Sequence, residues 1–164
     1  MKTIYLARHA EAEPVGSAGI YHDFDRPLTA YGESLLQRQA EVLKKLAPEL
    51  NSCFASPLLR TQQTARLLLA GRDVPITSVD ALGASPSLSA IQRLLHQTDA
   101  EQILLVTHQP FVVSLLSWLL TSEQELNAAF EPGTLACFQL FQLEPRPAGL
   151  LRWLMSAEMM AQLA

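Results

Sequence analysis

Residues 102–110 read QILLVTHQP: an uninterrupted run of β-favouring apolar side chains that stops at a threonine, a histidine and a proline. A short apolar run bounded in this way reads as a buried strand, and Pro110 is suited to begin the helix that follows. The segment therefore predicts strand, polar corner and helix, with His108 at the corner. Earlier in the chain TIYLARH, residues 3–9, repeats the pattern, with TIYLA as the strand and Arg8-His9 where it stops. SCFASPLLR, residues 52–60, gives it a third time, with a very short strand, Ser56 as helix N-cap, Pro57 at the first helical position and Arg60 in the first turn.

The remaining elements fit between these. Thr29 is a candidate N-cap for a helix whose Leu35, Leu36, Val42, Leu43 and Leu46 keep near-helical spacing as far as Pro48. A second helix is expected over Leu88 to Gln97, and strands over TLACFQLFQLE and LLRWLM after the Pro-Gly region. No repeat, low-complexity tract or long linker divides the sequence, so residues 1–164 are read as one domain with a single sizeable core. Strands alternating with helices and ending in two successive strands predict a three-layer α/β/α sandwich around a mainly parallel sheet.

In open α/β sheets, ligands bind beyond the carboxyl ends of the strands. Arg8, His9, Arg60 and His108 all fall there, a cationic, nitrogen-rich group inside a chain whose net charge is −4. That balance excludes general attraction to nucleic acid or anionic membranes, so no nucleic-acid or membrane partner is expected and any anion site is local. Phosphate fits the group well. Arginine offers a rigid fork to its oxygens, a helix N-terminus adds backbone donors, and a neutral imidazole can attack phosphorus and carry the phosphoryl group. Neighbouring arginines help keep that imidazole neutral. Two adjacent arginines also repel a divalent cation, so although His9, Glu11 and His108 could be ligands, no metal and no other cofactor is expected.

LARHAEAE, RPLTAYG, ASPLLRTQQTA and VTHQP, in this order and spacing, resemble the histidine phosphatase superfamily, also called phosphoglycerate-mutase-like. They are most similar to its short branch, the SixA-type phosphohistidine phosphatases. The resemblance reaches from the first strand to about Pro110. It implies His9 as the nucleophile that becomes phosphorylated, with Arg8, Arg60 and His108 binding the phosphoryl group and stabilising transition-state charge. Arg26, in RPLT, matches an arginine common in the short branch and is a candidate substrate contact. Glu11 is a candidate at the pocket's edge. The family commonly has glycine after the Arg-His pair, where this chain has Ala10, with an added methyl group and less backbone freedom.

The expected activity is removal of phosphate from a phosphorylated histidine on a protein, with phosphate and other oxyanions as ligands of the same pocket. Larger superfamily members protonate the leaving oxygen with an Asp or Glu under an inserted lid, and no long insertion stands between RTQQTA and VTH here. Imidazole, with a pKa near 6.5, leaves with far less help than an alkoxide, whose conjugate acid resembles water at about 15.7. The alternatives are a phosphatase of small phosphomonoesters, using Glu11 or another carboxylate as acid, and a non-catalytic phosphate or phosphoprotein binder. Cys53 and Cys137 fit no redox or metal spacing and are expected as buried thiols in a reducing, cytoplasmic setting. The apolar run FVVSLLSWLL is too short to span a bilayer. His22 and His96 carry no motif and are expected to be exposed, and Trp118 and Trp153 to be packing residues.

Overall fold

The computed structural model describes residues 1–17, 19–121 and 126–164. Its strands are β1 (Lys2–Arg8), β2 (Ser52–Ala55), β3 (Ile76–Ser78), β4 (Gln102–Thr107), β5 (Leu135–Gln142) and β6 (Ala148–Met155). Its helices are α1 (Ala30–Leu46), α2 (Leu59–Leu68), α3 (Leu88–Gln97), α4 (Phe111–Thr121) and α5 (Ala157–Ala161). The strands form one sheet in the order β3-β2-β4-β1-β5-β6. The first four are parallel to one another, while β5 and β6 add an antiparallel hairpin on the β1 side.

Alternation along the strands sorts the core into two layers. Tyr5, Ala7, Leu104, Val106, Leu135 and Cys137 pack with Leu36, Leu43, Ala65, Leu68 and Met160 of α1, α2 and α5. Ile4, Leu6, Ile103, Leu105, Ala136 and Phe138 face Ile91, Leu95, Val112, Leu115 and Leu119 of α3 and α4. The division follows from right-handed crossovers. The chain moves one way across the sheet from β1 to β2 to β3, then reverses to reach β4, so α1 and α2 share one face and α3 lies on the other.

That reversal opens the crevice. Neighbouring strands β1 and β4 send their following helices, α1 and α4, to opposite faces, which parts the loops at their carboxyl ends. Arg8 pairs with Thr107 at the last register of the two strands, which brings His9 and His108 side by side in the chain's layout.

Thr29 caps α1 as expected, its hydroxyl accepting from the Gly32 amide at 3.0 Å. The start of α2 differs from expectation. The N-cap is Leu58, because the Ser56 hydroxyl accepts from the Leu58 amide and the Ser56 carbonyl is taken by Thr61 Oγ1 and Gln62 Nε2. Pro57 thus precedes the helix, and Arg60 still falls in its first turn. Helix α5 has no counterpart in the sequence reading; Ser156 caps it by accepting from the Met159 amide. Both cysteines are free and buried, His22 and His96 are exposed, and Trp118 and Trp153 pack against the two core layers. Among the described residues no helix is long and apolar enough to cross a membrane.

Candidate active site

His9 is pinned from both sides by backbone bonds. Its amide donates to the Thr107 carbonyl at the end of β4 (3.0 Å), and its carbonyl accepts from the Gly133 amide ahead of β5 (2.9 Å). The next amide, of Ala10, donates to Thr64 Oγ1 on α2 at 3.1 Å. Thr64 in turn donates to the Arg60 carbonyl one turn earlier, so a single hydroxyl ties the histidine corner to the helix that carries Arg60. Ala10 itself is 2% exposed and joins the α1-side core, where its methyl group finds packing partners.

The ring of His9 is oriented by its own neighbour. Nδ1 lies 2.7 Å from the Ala10 carbonyl oxygen, which can only accept, so Nδ1 carries the proton and Nε2 keeps its lone pair. Burial pushes the His9 pKa down to about 4; the Ala10 hydrogen bond opposes this, and Arg60, Arg8 and Arg26 push it lower. Desolvation is thus the leading cause of a neutral ring, with the arginines behind it.

A pocket of about 420 Å³ opens beside this ring, lined by Arg8, His9, Asp23, Arg26, Leu58, Arg60, Ala84, His108 and Gln109. Five residues singled out from the sequence therefore share one cavity. Arg8 is anchored through Nη1 to the Phe130 carbonyl at 2.8 Å. Burial lowers its pKa, with Arg60 adding to the shift and Glu131 opposing it. Arg60 is 4% exposed. The Nε–H groups of both Arg8 and Arg60 are buried with no acceptor from the protein. Buried donors of charged groups are rarely left so. His108 sets its ring nitrogens 3.1 Å from the carbonyls of Gln109 and Gly83.

Two positions depart from the sequence reading. Glu11 is not brought into this cavity. Its carboxylate accepts from the Thr29 hydroxyl at 2.9 Å, and it lines a separate pocket of about 240 Å³ with Tyr31, Glu131 and Glu158. The chain turns at Ala10, so Glu11, two residues after His9, lies on the α1 side. Asp23, which sequence reasoning passed over, does line the cavity. Its Oδ2 lies 3.0 Å from Arg60 Nη2 and its Oδ1 3.0 Å from Arg26 Nη1, while its backbone carbonyl accepts from Arg60 Nη1 at 2.6 Å. The available signal was its spacing, three residues before Arg26. Burial works to raise the Asp23 pKa, but the hydrogen bonds and charges of Arg26 and Arg60 outweigh it and hold the carboxyl below its usual range.

Comparison with known proteins agrees with this architecture. The family model for the histidine phosphatase superfamily (branch 1) matches residues 4–83. An uncharacterized protein from Picosynechococcus sp. is 35% identical over 111 residues, covering 65% of this chain and 66% of that protein, just under two thirds of its length. Among solved structures, the protein histidine phosphatase SixA complexed with tungstate superposes with a TM-score of 0.80 at 23% identity, over 94% of this chain and 97% of that one. The putative phosphohistidine phosphatase SixA from Agrobacterium tumefaciens gives 0.76 at 22% identity, over 94% and 98%. At these identities the structural likeness concerns the fold. Residues 4–83 are thus similar to the histidine phosphatase superfamily (branch 1), and the fold as a whole is similar to that of the SixA structures.

Proposed function

We propose that this protein is a phosphatase that takes phosphate from phosphohistidine through a phosphorylated His9. The observation that carries the proposal is the state of that ring: buried, neutral, with Nδ1 engaged by Ala10 and Nε2 unprotonated, in a cavity it shares with three arginines. Nε2 attacks phosphorus, the new P–N bond forms, and the bond to the leaving group breaks. Arg8 and Arg60, which line the cavity, supply guanidinium N–H donors to the phosphoryl oxygens, where charge concentrates in the transition state. Arg26 widens the cationic wall, and His108 contributes a ring N–H after exchanging one of its carbonyl partners. Water then hydrolyses phospho-His9, releasing phosphate and restoring neutral imidazole.

The choice of substrate rests on the proton donor. Among the described residues lining the cavity, Asp23 is the one carboxylate, and two arginines keep it ionised. An ionised carboxylate cannot protonate a leaving alkoxide. A phosphorylated imidazole protonated on its other nitrogen departs as neutral imidazole and needs no such donor. This favours phosphohistidine over alkyl phosphates, and a phosphorylated protein as the partner that presents it.

The test is to incubate the protein with a phosphohistidine protein, quench, and look for acid-labile phosphate on His9, then compare kcat for phosphohistidine, phosphoserine and sugar phosphates. Labelling at His9 with fast phosphohistidine turnover is expected. Labelling with fast alkyl-phosphate turnover would make the protein a small-molecule phosphatase, and no labelling with retained oxyanion binding would make it a binder.

A further inference from the structure

Asp23 contributes a negative charge to the wall of a cavity built to hold an anion. Its position is fixed on three sides. The backbone carbonyl and Oδ2 both engage Arg60, which is buried, and Oδ1 engages Arg26, whose Nε donates to the Glu13 carbonyl at 2.6 Å. The residue opens a short 3-10 turn, Asp23–Asp25, so its carboxylate is carried by backbone already tied to the cavity. Yet 59% of the side chain is exposed. A carboxylate that served only to orient the two arginines would be satisfied by those contacts. This one also presents an exposed, charged edge within the cavity lining.

We infer that Asp23 is a specificity-determining residue: it makes the pocket select phosphoryl compounds whose remainder is neutral or cationic and reject those carrying a second anionic group. The phosphoryl oxygens meet Arg8, Arg60 and the two histidines, while the part of the ligand that emerges past them meets the Asp23 carboxylate. A carboxylate or second phosphate there faces like charge, whereas a protonated ring or a basic neighbouring side chain faces its opposite. Asp23 remains charged as it does so, because Arg26 and Arg60 hold its proton affinity down. The inference rests on the phosphate-pocket reading and deepens it, since the protonated imidazole of phosphohistidine is a cationic remainder.

Binding separates this from turnover. Phenylphosphonate, its para-carboxy derivative and its para-trimethylammonio derivative share one head group that cannot be hydrolysed and differ in remote charge. Their dissociation constants are measured by calorimetry at low ionic strength for wild type, Asp23→Asn and Asp23→Glu. Wild type is expected to bind the cationic derivative roughly tenfold more tightly than the anionic one, as an unscreened like or opposite charge at short range requires. Asp23→Asn should cut that ratio to about threefold or less, and Asp23→Glu should restore most of it. The ratio is the readout, since a purely structural Asp23 would change all three affinities by the same factor. An unchanged ratio in Asp23→Asn overturns the inference while leaving the phosphatase reading intact. Failure of wild type to bind any of the three removes the phosphate-pocket reading and this inference together. A wild type that binds the three equally, yet forms phospho-His9, overturns the inference alone.

Discussion

Burial, more than charge, keeps the His9 ring neutral. Its pKa of about 4 lies below the value of about 6.5 expected in the unfolded chain. The unfolded state therefore takes up the proton first as pH falls. The stability that accompanies a neutral His9 is complete above about pH 6.5 and is lost as pH falls towards 4, by up to about 3 kcal/mol. Urea unfolding at pH 7.5 and pH 4.5 should show wild type losing about 1–3 kcal/mol more than His9→Gln over that interval. Equal losses would mean that the ring is not desolvated. NMR titration of the His9 ring gives an independent check, with a midpoint near 4 expected. Arg60→Ala should lower kcat/KM by about 2.7–4 kcal/mol in activation free energy, the range for a lost preorganised donor. Near-normal kinetics would exclude Arg60 from the reaction.

At the scale of elements, the sequence made visible what depends on local chemistry. Thr29 as a cap and α3 over Leu88–Gln97 follow from capping and periodicity, and both stand. Ser56 as a cap failed because its hydroxyl and carbonyl serve Leu58, Thr61 and Gln62 before the helix begins, a competition that the Ser-Pro pattern does not reveal. Arg8, His9, Arg60 and His108 were legible because strand ends announce themselves, whereas Arg26 was reached only through the resemblance. The places of Glu11 and Asp23 were not legible because a loop's direction is set by tertiary bonds: Thr29 holds the exposed Glu11 carboxylate away from the cavity and Arg60 draws Asp23 in. Thr64, in RTQQTA, also escaped notice, although its place one turn after Arg60 was a usable signal. Gly133 illustrates how tightly these corners are made. Its φ is +79°, its amide holds the His9 carbonyl, and an added Cβ would sit 2.9 Å from Ala157 Cβ. Gly133→Ala should cost about 1–3 kcal/mol in chemical denaturation through left-handed strain and overpacking. A loss below about 0.5 kcal/mol, the scatter of surface substitutions, would show that the α5 contact yields freely.

For the whole molecule, the proposed activity in a cavity whose one carboxylate is held ionised predicts rates set by leaving-group basicity. Across aryl and alkyl phosphates kcat should fall steeply as the leaving group's pKa rises, with phosphohistidine at the fast end. A flat dependence would indicate a proton donor that the cavity lining does not contain. Turnover should also survive EDTA, because the three arginines already gather the charge; loss on chelation with rescue by a divalent cation would contradict this.

The antiparallel hairpin has a practical corollary. Leu135 pairs with Met155 beside the cavity end of β1, whereas Gln142 pairs with Ala148 at the opposite end of the sheet, where Lys2 also lies. The turn between β5 and β6 and Lys2 thus lie at the end of the sheet opposite His9. A tether, fluorophore or affinity handle fixed in the β5–β6 turn would leave the cavity facing outward, so the protein could be immobilised as an oriented monolayer.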